Sequence, residues 1–89
     1  MNNNVKEAIE FVTKSSNWPQ YGYMTLDRCR HDYQFYLGYG RRQDKFLYMG
    51  NPQDQIDFMR ALYDKLDDKP EWLTLEQINE FEKRMIKQD

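Results

Sequence analysis

At 89 residues the chain has the length of one domain and can bury one modest core. Hydrophobic residues make up 39%, aromatics 16% and charged residues 31%, a well-solvated composition that nevertheless holds too many large side chains for a disordered chain. The net charge of -2 excludes an overall electrostatic nucleic-acid binder, and it falls short of the dense carboxylate surface that mimicry of DNA needs.

No apolar run approaches the roughly 20 residues that span a bilayer, so no membrane association is expected. The single cysteine, Cys29, excludes an internal disulfide and fits a reducing, cytoplasmic setting. The opening Met1-Asn2-Asn3-Asn4 lacks a basic region followed by an apolar one, so no secretory signal is expected.

Residues 2–4 are a polar lead that offers a helix cap. Val5, Ala8, Ile9 and Val12 recur at helical spacing and predict a first helix over 5–13, with Phe11 off the stripe. Ser15-Ser16-Asn17 ends it. Trp18-Pro19-Gln20-Tyr21-Gly22 reads as a loop, because proline disfavours helix at the preceding residue. Thr25 is the expected N-cap of a second helix over 26–37, whose apolar stripe is Leu26, Cys29, Tyr33, Tyr36 and Leu37. Gly38 and Gly40 are the residues expected to stop it.

Residues 41–45 are polar and expected to be exposed. Phe46-Leu47-Tyr48-Met49 is a short apolar run, read as a core-packing connector or a single helical turn; a short extended segment is the alternative, though no partner strand is evident. Asn51 and Pro52 form a cap and first-turn pair for a third helix reaching about residue 66, with Ile56, Met59, Leu62, Tyr63 and Leu66 on one face. Residues 67–70 break the chain. Thr74 and Gln77 have the spacing of a capping box, with Trp72 or Leu73 placed to staple onto Ile78. A fourth helix over 75–87 would bury Ile78, Phe81 and Met85, and its Lys83, Arg84 and Lys87 complement the helix dipole.

The charge is unevenly spread. Residues 27–45 carry five Lys/Arg against three Asp, whereas residues 54–89 carry six basic and ten acidic side chains. Arg28, Arg30, His31, Arg41, Arg42 and Lys45, with Tyr39 among them, are the types that contact phosphates and stack on bases. Against a nucleic-acid patch, Asp27, Asp32 and Asp44 are interspersed, and Arg28 and Arg30 cannot point the same way on a helix. Tyr beside Arg is also the composition of protein interfaces, and Phe35 and Tyr39 lie partly off the buried spacing.

Catalytic parts are missing from the pattern. Gly38-Tyr39-Gly40-Arg41-Arg42 follows a helix and lacks the Gly-Lys-Ser/Thr of a phosphate loop, so it reads as a helix stop. Cys29 and His31, two apart on a helix, diverge and form neither a nucleophilic pair nor a zinc site. Asp64, Asp67, Asp68 and Glu71 lack the central glycine of a calcium loop and are interrupted by Pro70. No cofactor or metal is expected, and no enzymatic activity.

The succession Asp32, Phe35-Tyr36-Leu37-Gly38, Gly40, Arg42, Leu47-Tyr48, a helix, then Pro70-Glu71-Trp72-Leu73-Thr74 and Gln77-Ile78 resembles the eleventh large polyvalent protein-associated domain. The resemblance covers about residues 23–87. Tyr48 stands where the family is expected to favour Trp. Such proteins carry many small modules on one chain in bacteriophages and conjugative elements. The resemblance therefore implies a mobile-element origin, with a role in element maintenance or against host defence, and brings no assigned activity.

The expected architecture is an all-α domain of three to four helices, with residues 1–22 as helix and loop and 23–89 as the family-like part of one compact unit. The expected function is protein binding through Arg28, Phe35, Tyr39, Arg41, Arg42 and Lys45. Weak nucleic-acid binding by residues 28–45 is the alternative. The partner's identity and the oligomeric state are not readable from the residues.

Overall fold

The computed structural model describes residues 3–38 and 44–85. Four helices follow one another: α1 (Asn3–Thr13), α2 (Gln20–Gly38), α3 (Pro52–Lys65) and α4 (Leu75–Met85), with a single 3-10 turn at Asp44–Phe46 between α2 and α3. The fold is all-α, and the described residues contain no strand. α3 is the hub. α1 and α4 pack against it to comparable extents, and α2 crosses it as well.

The core follows the apolar stripes. α1 buries Val5, Ile9 and Val12, and α2 buries Leu26, Cys29, Tyr33 and Tyr36. α3 buries Ile56, Phe58, Met59 and Leu62, and Leu66, Leu73 and Ile78 complete the same cluster. Each fully buried aliphatic side chain contributes about 1.5–3 kcal/mol from its removal from water. Phe58 and Gln55 are fully buried although neither was on the expected face of α3. The Phe46 and Met85 side chains and Lys87 lie outside the described residues.

The expected start of the second helix needs correction. Helix α2 starts at Gln20 rather than 26, so Tyr21 and Gly22 are helical and not loop. Pro19 restrains only the residue before it, and its own carbonyl opens the helical ladder by accepting the Tyr23 amide at 3.1 Å. Thr25 accordingly caps nothing. It lies inside the helix, where its hydroxyl donates to the Tyr21 carbonyl at 2.7 Å. Gly22, expected in that loop, is a seat within the helix: a Cβ there would sit 2.5 Å from Cζ3 of Trp18. The indole closes over the missing side chain, across a cis Trp18–Pro19 peptide.

At 46–49 the structure bears out the reading as a core-packing turn and not the extended alternative. This run is no extended segment: Asp44–Phe46 is a 3-10 turn, the Gly50 amide donates to the Leu47 carbonyl at 3.0 Å, and Gly50 takes φ +73. That left-handed conformation suits glycine. The turn then delivers Asn51, whose side chain accepts the Asp54 amide at 3.0 Å and caps α3, with Pro52 in the first turn. The capping box of α4 is complete in both directions. The Gln77 amide donates to the Thr74 hydroxyl at 3.1 Å, and the Thr74 amide donates to the Gln77 side-chain oxygen at 2.8 Å. Of the two residues that could staple this helix start, Leu73 is the buried one and Trp72 is exposed. Gly38 ends α2 as its last helical residue, and Gly40 lies outside the described residues.

Candidate functional site

Helix α2 carries every described residue expected to contact a partner except Lys45, so its surroundings define the site. Its inner face faces the core. Its two flanks are held by different chain segments. On the Arg28/Asp32/Tyr36 flank, the segment 44–49 is drawn in by the Asp32 carboxylate, which accepts the Tyr48 amide at 2.8 Å and the Arg28 guanidinium at 3.1 Å. The Arg28 guanidinium also lies over the Tyr48 ring, 5.6 Å from its centroid, and the Tyr36 hydroxyl donates to Asp44 at 3.3 Å. Buried Gln55 of α3 locks this segment from beneath: its side-chain oxygen accepts the Met49 amide at 2.9 Å and its amide group donates to the Cys29 carbonyl at 3.4 Å.

On the Tyr23/Arg30 flank, the segment 66–74 crosses α2. The Tyr23 hydroxyl donates to the Asp68 carbonyl at 2.6 Å, and Arg30 lies over the Trp72 ring at 5.2 Å while donating to Asp27 at 2.8 Å. The Lys69 ammonium folds back on the end of α3 and donates to the carbonyls of Tyr63, Asp64 and Leu66 at 2.7, 3.1 and 2.6 Å. It adds a second donor to the Tyr63 carbonyl, which already accepts the Leu66 amide, and sets a positive charge at the negative end of the dipole.

What remains is the outer face of α2. Met24, Arg28, His31 and Phe35 recur at four, three and four residues, so they lie along one line of the helix. Met24 is 68% exposed and Phe35 41% exposed, two large apolar groups about 16 Å apart at the helical rise. His31 between them places Nδ1 2.8 Å from the Asp27 carbonyl oxygen, which selects the Nδ1–H form of the neutral ring. Met24 was missed in the sequence because the helix was taken to begin at residue 26. Once it begins at Gln20, the spacing to Arg28 and Phe35 identifies Met24 at once.

The structure brings Arg28 and Phe35 together on this face, with Lys45 exposed in the 3-10 turn that meets α2 near Tyr36. Tyr39, Arg41 and Arg42 lie outside the described residues. The described charges are largely matched: Arg28 by Asp32, Arg30 by Asp27, and the two arginines leave on opposite flanks as their spacing requires. A field of unmatched cations, which phosphate contacts exploit, is not what this part of α2 presents.

Cys29 is fully buried, and burial foremost, then the neighbouring Asp32, pushes its thiol far above the ordinary range, so it stays protonated and inert. Burial likewise raises Tyr33, whose hydroxyl lacks a hydrogen-bond partner among the described residues and whose ring stacks on Phe81 with centroids 4.8 Å apart. Among the described residues no group of three or more His, Cys, Asp or Glu is placed to hold a metal ion, and no helix is long and apolar enough to cross a membrane. A separate shallow groove of about 620 Å³ between α3 and the start of α4, lined by Asp57, Arg60, Tyr63, Lys69 and Leu75 among others, shares no residue with the outer face of α2.

No curated protein and no solved structure matches the chain. The family model of large polyvalent protein-associated domain 11 matches residues 19–85, from the proline that opens α2 to the end of α4. That span takes in both flanking segments, the outer face and the Thr74–Gln77 box. This chain therefore belongs to the large polyvalent protein-associated domain 11 family.

Proposed function

We propose that this domain is a non-enzymatic protein-binding module, and that its partner docks on the outer face of α2 around Met24, Arg28 and Phe35. The observation that carries the reading is the exposure of Met24 and Phe35 on one helical line, with a charge-matched arginine between them. Exposed apolar anchors beside arginine are what interface hot spots are made of. Tyr39, Arg41 and Arg42, which follow α2 directly in the chain, and Lys45 are proposed to extend the contact. In a phage or conjugative element, such a module would act in the host cytoplasm in element maintenance or against a host defence protein.

The test pairs capture with a nucleic-acid titration. Immobilised domain is exposed to host lysate beside a Met24→Ser/Phe35→Ser variant whose fold is checked by circular dichroism. A partner retained at raised salt by the parent and lost by the variant supports the reading. A partner held equally by both removes this face. In parallel, amide shifts are followed as short duplex and single-stranded DNA are added. Shifts confined to residues 28–45 that vanish with salt would replace the protein-binding reading with weak nucleic-acid binding through phosphates.

A further inference from the structure

The family match begins at residue 19, after α1 has ended at Thr13, yet α1 lies in the same core as the matched part. Its contribution is the row Val5, Ala8, Ile9 and Val12, with Val5 and Val12 fully buried, Ile9 nearly so and Ala8 partly. These are the i, i+3, i+4 and i+7 anchors by which one amphipathic helix lies in a groove made by others. Beneath them are α3 chiefly and α2 to a lesser extent.

The manner of attachment sets α1 apart from α4, which covers another side of α3. α4 is keyed by Arg60, which donates to Asn79 at 2.7 Å and to Glu82 at 3.1 Å, and by the stack of Phe81 on Tyr33. The polar side-chain contacts described for α1 run along the helix itself, from the Thr13 hydroxyl to the Ile9 carbonyl and from Lys14 to Glu10. Its hold on the rest is the aliphatic row and the edge contact of Phe11 with Tyr21, centroids 6.0 Å apart. Such a row specifies shape and spacing but no partner-specific polar contact. The connection also has an anchor of its own: Trp18, seated on Gly22, fixes the chain just before α2. Between α1 and α2, the Ser15 amide donates to the Val12 carbonyl at 3.2 Å, the Trp18 amide to the Ser15 carbonyl at 3.1 Å and the Tyr21 amide to the Asn17 carbonyl at 3.0 Å, so release of α1 has to open turn bonds of this connection.

We propose that the face of α2 and α3 beneath α1 is a helix-binding groove, with α1 as its built-in, displaceable occupant. The partner that fits is an amphipathic helix presenting small or β-branched aliphatic residues at i, i+3, i+4 and i+7, and it binds by taking the place of α1. The tether keeps α1 at a high effective concentration, so an incoming helix competes poorly until α1 is released. This surface is distinct from the outer face of α2.

The experiment uses the full chain with a protease site built into residues 14–17, folded first and cut afterwards. The probe is a fluorescent synthetic peptide of residues 1–14, with an Ile9→Asp peptide as control. After cutting and dilution, the parent peptide is expected to bind saturably and at least tenfold more tightly than to the uncut chain, and the Ile9→Asp peptide not to bind. Amide shifts of residues 20–85 should stay dispersed once α1 has left. Unfolding on loss of α1, retention of the cut α1 without exchange, or equal binding of both peptides would each overturn the proposal.

Discussion

The two segments that grip α2 do so by different mixtures of contacts. Segment 44–49 adds a polar hold to its buried Leu47 and to the stack of Tyr48 on Phe58: a mostly shielded carboxylate, Asp32, and a fully buried amide, Gln55, reach out to the backbone of Tyr48 and Met49. Segment 66–74 is held by apolar side chains. Leu66, Pro70 and Leu73 are buried, and its polar ties, the Tyr23 hydroxyl and the Lys69 ammonium, bind its own or the helix's carbonyls from exposed positions. The 44–49 turn sends one side chain, Leu47, into the core, and it is positioned in addition by hydrogen bonds whose loss leaves buried groups unpaired. A segment with three buried apolar residues is positioned by area, and its hydrogen bonds refine rather than hold it. Among the described residues, the two leave Met24, Arg28, His31 and Phe35 of α2 exposed.

The contrast can be broken most severely on the apolar side. Leu73→Ala should cost about 2–5 kcal/mol, read as a lowered urea midpoint with an unchanged slope, because it removes a fully buried side chain and leaves a cavity. On the polar side, Gln55→Leu keeps the bulk but leaves the Met49 amide without its acceptor, at about 1–3 kcal/mol. Its signature should be local, with faster amide exchange at Tyr48 and Met49 than at Leu73.

Lys69→Met tests whether the ammonium merely refines its segment. The expected loss is about 1 kcal/mol, from the end of α3 and its dipole, and amide exchange should quicken in the last turn of that helix while the 66–74 crossing persists. Arg28→Ala is the smallest. Its side chain is 58% exposed, so the ion pair with Asp32 contributes under about 1 kcal/mol and less at high salt. A larger, salt-insensitive loss would mean that the Tyr48 contact, not the charge, secures that flank.

The four helices and the caps of α3 and α4 were legible because they rest on local rules, whereas the start of α2 and its Thr25 cap were misread. Periodic apolar residues marked all four, and Asn51-Pro52 and Thr74-x-x-Gln77 marked two starts through bonds between residues three apart. The membership of the chain was legible too, in the order of Phe35-Tyr36-Leu37-Gly38 and Pro70-Glu71-Trp72-Leu73-Thr74. The candidate surface was half legible: Arg28 and Phe35 were placed on it, and Met24 was not.

What escaped the residues depends on contacts that helical periodicity does not contain, some between near neighbours and some far along the chain. That residue 22 has room for no side chain follows from the indole of Trp18 lying on it. That Gln55 belongs in the core follows from a backbone amide six residues away and a carbonyl 26 residues away, neither of which the helical pattern of α3 contains. Asp32 and Lys69 are ordinary surface residues by type, and they became fastenings only when folding brought Tyr48 and the end of α3 within reach. Local periodicity specifies which elements form and which stripe each buries. Which flank of α2 each connector covers, and so which strip is exposed among the described residues, is set by long-range packing and hydrogen bonds that no short window of sequence holds.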